Sequence, residues 1–287
     1  MDMTRRFFCF ILSFSLFSGI LSAEKLISDY TIGKVEDFVT YRVVLKSVDD
    51  ELAYKTILEL KEKALKDLPP HAIDLEQETC ILESLYLLEY YEHSLTASGN
   101  QKELRDMIKN QMKKNMECIE TRDDEEISDW LYQFTGDVTS YYMTRSVAAT
   151  FFYGLKVKNY YERAIAVNPK RASSHVCLGN WRFYAPFLFG GGKGRARRHY
   201  DDALDCAEIP GEKYMTYIFS SQIRYEKDEK DAATELLQKA RDLGLGTKDL
   251  DLIEKCNKKG YSYFQYLRNR SGIDEEMAED EKDEEDK

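Results

Sequence analysis

Proline and glycine are scarce in this chain, with 5 and 15 among 287 residues. A fold of many short strands consumes turn residues, so this shortage argues against an all-β architecture. The abundant Leu, Ala, Glu, Lys and Tyr argue for helix. Positive charge is in deficit: 41 Lys and Arg stand against 52 Asp and Glu, for a net charge of −11. A general nucleic-acid binder needs a basic field, so that class is disfavoured. No apolar run reaches the ~20 residues of a spanning helix. No CxxC occurs, and the four histidines, 71, 93, 175 and 199, form no HExxH and no close His–Cys pair. Neither a metal site nor a cofactor is expected on that ground. Ser220-Ser221 lies in no GxSxG elbow. The adjacent carboxylates Asp201-Asp202 and Glu125-Glu126 point to different sides of a helix. With no catalytic constellation, the chain reads as a binding protein and not an enzyme.

The first 23 residues have the layout of an export signal. Arg5 and Arg6 form a basic start, Phe7 to Leu21 an apolar stretch, and Leu21-Ser22-Ala23 a small-residue exit. Glu24 stands where a lipoprotein would carry cysteine. The expectation is export to the periplasm with residues 1–23 removed, against the alternative of a retained anchor. Five cysteines follow the signal: Cys80, Cys118, Cys177, Cys206 and Cys256. Scattered and odd in number, they read as small core fillers. At the other end, residues 274–287 hold ten acids and two lysines. Such a run repels itself and is expected to be a disordered acidic tail.

Between these ends the apolar spacing is helical. Val35, Phe38, Val39 and Val43 share one face. A second helix starts at Asp49 or Asp50 and ends before Pro69-Pro70. A long apolar helix carries Ile81, Leu85 and Leu88 and closes at Ser98-Gly99-Asn100. A charged helix over about 101–121 buries a stripe of Leu104, Ile108, Met112, Met116 and Ile119. Thr121 to Glu126 is a polar break with helix-start chemistry. Residues 24–137 are thus an N-terminal helical region of degenerate or capping helices.

From about residue 138 a spacing recurs. Val157, Tyr161 and Ala164 are separated by 4 and 3, as are Ala196, Tyr200 and Ala203, and Ala233, Leu237 and Ala240. The alanines Ala164, Ala203 and Ala240 lie 39 and 37 apart. Pro169 follows the first set, Leu178-Gly179 precedes the second, and Ser220-Ser221 precedes the third. This pattern resembles the tetratricopeptide repeat, a unit of two antiparallel helices. Small residues let the helices approach, and a large residue fills the space between pairs. The resemblance covers residues 138–245 and implies an all-α fold, an α-solenoid of helical hairpins with an N-terminal helical cap. A single helix over about Leu250–Leu267, within 246–273, would cap the stack. The stretch YYERAIAVNP…LGNWRFYAPFLFGGGKGRARRHYDDAL also resembles bacterial exported repeat proteins, among them the component associated with TRAP-type transporters. That likeness implies a periplasmic solute-binding protein as partner and allows a homo-oligomer.

The second unit departs from the repeat by five extra residues within Ala185-Pro186-Phe187-Leu188-Phe189-Gly190-Gly191-Gly192. Five aromatics, Trp181, Phe183, Tyr184, Phe187 and Phe189, precede three glycines. Two readings compete: a pocket or groove for a partner, or a small core under an extended loop. GGGKG lacks the spacing of a phosphate loop, which would need Gly at 187 and Ser or Thr at 194. Lys193, Arg195, Arg197, Arg198 and His199 follow, as an anion site or a solvated helix face. The expected function is an exported scaffold that binds a protein partner on its concave surface and on this insertion. Trp181, Phe183, Tyr184, Phe187, Phe189, Lys193 and Arg195 are the candidate contacts. The alternative is a carrier of a hydrophobic small molecule or lipid.

Overall fold

The computed structural model describes residues 25–97, 101–144 and 146–285. Residues 1–23, where an export signal was expected, and Ser98-Gly99-Asn100 lie outside them. Among the described residues there are thirteen α-helices and no strands. They are α1 (Asp29–Leu45), α2 (Asp50–Lys66), α3 (Leu75–Ala97), α4 (Gln101–Glu120), α5 (Asp129–Met143), α6 (Val147–Val167) and α7 (Ala172–Tyr184). The rest are α8 (Lys193–Cys206), α9 (Pro210–Tyr225), α10 (Lys230–Asp242), α11 (Lys248–Lys258), α12 (Tyr263–Arg268) and α13 (Arg270–Glu285). None of these helices is long and apolar enough to cross a membrane.

Local chemistry sets the starts. Asp49 caps α2 by accepting from the Glu51 and Leu52 amides at 3.0 and 3.2 Å. Ser128 caps α5 through the Leu131 amide, and Pro210 opens α9 at a position where its missing N–H costs nothing. The α4 stripe is buried as its spacing predicts, with Met116 half-buried at the edge of the same core. All five cysteines are free thiols, and Cys80, Cys118 and Cys256 are fully buried.

Helices adjacent in sequence pack as pairs, α2 on α3, α5 on α6, α7 on α8 and α9 on α10. The next layer of contacts runs α3–α5–α7–α9. Every residue of the three recurring sets is buried, from Val157 to Ala240. The pairing has a repeated device. A Cβ on Gly179 of α7 would come within 2.5 Å of the Tyr200 ring of α8. A Cβ on Gly136 of α5 would meet the Tyr161 ring of α6 at the same 2.5 Å. In each pair the residue after the glycine accepts from the tyrosine hydroxyl at 2.8 Å, Asn180 from Tyr200 and Asp137 from Tyr161. The α5–α6 pair thus has the same glycine–tyrosine contact as the α7–α8 pair, and residue 138, where the sequence pattern was expected to begin, lies inside α5.

The first helix is tied to distant parts of the chain. Fully buried Glu78 of α3 accepts from the Ser28 amide at 3.0 Å, and from the Ser28 and Thr31 hydroxyls. At the other end α1 meets α9, where Gly211 has room for no side chain. A Cβ there would sit 2.2 Å from the Val39 carbonyl oxygen. Lys46 then reaches Asp249 at 2.6 Å.

Two expectations for the C-terminal part are corrected. The single helix over 250–267 is divided into α11 and α12, because Gly260 adopts φ +88° and turns the chain. The acidic segment expected to be disordered is helical as α13 through Glu285. Ile273 and Met277, four residues apart, bury themselves against Cys256 and Tyr266 and anchor its first turns.

These packings set the outcome of small substitutions. Gly136→Ala and Gly179→Ala should each lose about 1–3 kcal/mol in urea unfolding, as overpacked sites do. Gly211→Ala should lose more, because the obstacle is backbone. Gly33→Ala, in α1 with nothing within 4 Å of the new methyl, should gain roughly 0.5–1 kcal/mol from helix propensity. Burial pushes the Asp137 carboxyl above its usual 3.8, opposed by hydrogen bonds from Tyr161 and Cys177 and by the nearby Arg42 charge. The native state thus holds that proton longer than the unfolded chain, and this group's contribution falls as pH rises from about 4 through the raised value. Asp137→Asn keeps the acceptor that Asn180 supplies in the next pair. Its unfolding free energy should decline less between pH 4 and neutrality than that of the wild type.

Candidate functional site

The insertion between α7 and α8 folds back on itself, and its glycines explain how. Gly190 and Gly192 adopt φ of +96° and +134°, open to glycine and strained for other residues. A Cβ on Gly191 would lie 1.8 Å from the Ala185 carbonyl oxygen. The amides of Gly190, Gly191 and Gly192 donate to the carbonyls of Phe187, Pro186 and Arg182. Those three N–H groups are used within the loop and are not offered to an anion. Arg182 holds the loop to α6, donating to the Gly190 carbonyl and to Glu162, both at 2.8 Å.

This geometry sorts the candidate aromatics into two sets. Phe183 is 7 % exposed and stacks on Phe264 of α12, with ring centroids 3.9 Å apart. Tyr200 and Phe219 complete the stack from α8 and α9. Trp181 is half-buried beside Val157, Tyr161 and Leu178, and its indole donates to the Gly154 carbonyl at 2.9 Å. Tyr184 flanks the same stack, its ring crossing that of Phe183 edge-on. Burial pushes its hydroxyl up to about 12, so it stays a neutral donor. The loop tip differs: Phe187, Leu188 and Phe189 face solvent, at 75, 91 and 52 % exposure.

A second exposed group lies at the same end. Trp181 touches Gly154, and around Gly154 the start of α6 exposes Phe151 (82 %), Phe152 and Leu155. Spacing on α6 carried the signal for these residues. Phe151 and Leu155 follow a helical stripe different from Val157–Tyr161–Ala164, and one helix cannot bury both against one neighbour. Phe264 escaped notice in the sequence because its partners lie 45 to 81 positions away.

Residues 147–200 hold ten Lys and Arg and one acid, Glu162, within a chain of net −11. Arg182, Lys193, Arg195, Arg197 and Arg198 belong to the helix ends that flank the insertion, whereas Lys170 and Arg171 sit in the α6–α7 turn. Lys193 pairs with Glu226, and Arg197 with Glu229. Arg195 lies over the Phe187 ring, 5.1 Å from its centroid, and donates to the Gly191 carbonyl. Lys156, Arg195 and Arg198 have no carboxylate partner among the described residues. An open cleft of about 450 Å³ lies on α6, lined by Lys156, Asn159, Tyr160, Glu162, Arg163 and Ala166. It is an open feature of the α6 surface, and no residue of the aromatic insertion lines it.

Within the layer α3–α5–α7–α9, helix α1 packs against α3 and α9. Arg42 of α1 lies close enough to Asp137 and Cys177 to act on both electrostatically.

No protein-family model matches this chain, and no curated protein matches it either.

The division of the aromatics is open to a direct check. Phe183→Ala should lose about 3–5 kcal/mol of stability, the usual cost of emptying an aromatic core site. Phe187→Ser with Leu188→Ser should stay within roughly 0.5 kcal/mol of wild type, as exposed positions do. Parallel thermal or urea unfolding curves would show the contrast.

Proposed function

We propose that the chain is a tetratricopeptide-type α-solenoid that acts as an exported scaffold and holds a partner protein at its basic, aromatic end. One observation carries this reading: six large apolar side chains, Phe151, Phe152, Leu155, Phe187, Leu188 and Phe189, stand out in solvent at one end of the α6–α7 pair. Isolated exposed apolar residues are ordinary, but a group of six marks an interaction surface. Arg195 lies over the Phe187 ring, and neither it nor Lys156 beside Leu155 pairs with a carboxylate among the described residues. The occupant that fits is a protein with an apolar cleft and an acidic rim. Aromatic anchors supply the binding energy, and the cations speed and orient the encounter. An exported solute-binding protein is the partner implied by the likeness to the transporter-associated repeat proteins.

The α3–α5–α7–α9 layer contributes less than the sequence suggests, since α1 packs against α3 and α9. The hydrophobic-carrier alternative draws less support. It needs an enclosed apolar cavity around Phe183–Phe189, whereas Phe183, Phe264, Tyr200 and Phe219 fill that region ring against ring.

Crosslinking of tagged protein in the intact exported fraction, read by mass spectrometry, tests this. The expected result is one dominant acidic partner whose yield falls about tenfold or more in the Phe187→Ser, Leu188→Ser, Phe189→Ser variant, the scale set by losing hot-spot anchors. Capture should also weaken with added salt. Unchanged capture by the variant overturns the reading. So does recovery of the chain alone together with its flotation on anionic vesicles, which would reassign the surface to a membrane.

A further inference from the structure

The pairing of α7 with α8 gathers a group that no sequence motif announces. His175 of α7 and His199 of α8 are 24 positions apart, yet their ring centroids lie 5.9 Å apart. Asp202 stands one turn beyond His199 on the same helix. Its Oδ2 is 3.8 Å from His175 Nδ1 and 3.9 Å from His199 Nδ1. The three ligand atoms all lie within 4.8 Å of one another. These separations are too long for hydrogen bonds. The two carboxylate-to-ring separations are about half an ångström wider than the edges, roughly 3.3–3.4 Å, of a tetrahedron with metal–ligand bonds of about 2.0–2.1 Å.

The hydrogen bonding around the group points the same way. His175 Nε2 lies 2.9 Å from the Pro169 carbonyl oxygen. A carbonyl can only accept, so Nε2 is the donor, which leaves Nδ1 as the ring nitrogen available to a ligand. His175 is more than nine-tenths buried, and its Nδ1 has no hydrogen-bond partner. His199 Nδ1 is likewise buried and unpartnered. Two buried ring nitrogens without a hydrogen-bond partner and one carboxylate oxygen thus lie within 4.8 Å of one another. A backbone carbonyl fixing the far nitrogen of a ligating histidine is the usual support of a metal site.

We propose that His175, His199 and Asp202 bind a divalent transition-metal ion, Zn2+ foremost, which clips α7 to α8 and keeps one coordination position open. Two imidazoles and one carboxylate suit Zn2+ and its late first-row neighbours, whereas Mg2+ and Ca2+ take oxygen ligands. Arg182 and Arg198 are the nearby opposing charges; Arg182 is neutralised by Glu162 at 2.8 Å. The site stands apart from the docking surface and does not rest on that reading.

Titration of the purified full chain with ZnCl2, followed by calorimetry and by thermal unfolding, tests it. One Zn2+ per chain should bind and raise Tm. Affinity should fall by at least about tenfold in His199→Gln and in Asp202→Asn, since even changes to supporting residues cost that much. Asp202 is half exposed, so its variant should retain the fold if the His199 variant does not. His71→Gln, at an exposed position, should bind as wild type does. Co2+ should give a visible absorption band that Asp202→Asn abolishes. Absence of one-to-one Zn2+ binding at millimolar ion overturns the proposal. Wild-type affinity in the folded Asp202→Asn variant also overturns it, because the ion would then sit elsewhere, for instance on the acidic C-terminal helix.

Discussion

The close approach of paired helices at a glycine opposite a tyrosine is the contact on which the central part of this molecule depends. Gly179 lets the Tyr200 ring lie against the backbone of α7, and Gly136 does the same for Tyr161 against α5. The tyrosine hydroxyl then ends on the residue after the glycine. Ring burial supplies most of the stabilisation, and the hydrogen bond satisfies the one polar atom that burial would strand. Everything near α7 and α8 follows from that spacing. His175 lies one turn before Gly179, and His199 is next to Tyr200, so the same approach that seats the ring brings the two imidazoles together.

Long-range closure comes from a different source. Helix α1 is joined at one end to buried Glu78 and at the other to Gly211 and Asp249. A fully buried carboxylate is tolerable at Glu78 because it accepts from hydroxyls and an amide at the positive end of α1. The contact at Gly211 is of backbone against side-chain-free backbone. Together these contacts pack α1 against α3 and α9, where it takes up surface that a bare array of hairpins would leave open.

The insertion between α7 and α8 shows how one run of aromatics divides its labour. Trp181 and Phe183 are still on α7 and obey its packing, so they enter the core. Phe187, Leu188 and Phe189 follow Pro186, where the helix has ended and the chain must leave the core. The glycines that follow return the chain to start α8, and their amides are spent on that return. The helix ends that flank the insertion concentrate positive charge in a chain that is acidic overall.

The sequence by itself determined the helical class, a second helix starting at Asp49 or Asp50, the α4 stripe and the three recurring sets. Each is a local matter of capping or of apolar periodicity within one helix, and periodicity survives in a single sequence. Of the candidate aromatics it identified the run but could not sort it, because exposure at Phe187 and burial at Phe183 depend on where Phe264 lands, 81 residues later. The glycine–tyrosine contact at Gly136, the packing of α1 on α3 and α9 and the meeting of His175 with His199 were decided only by the tertiary structure. All three arise between residues far apart in the chain, whose proximity is set by how helices pack and by no spacing that a sequence displays.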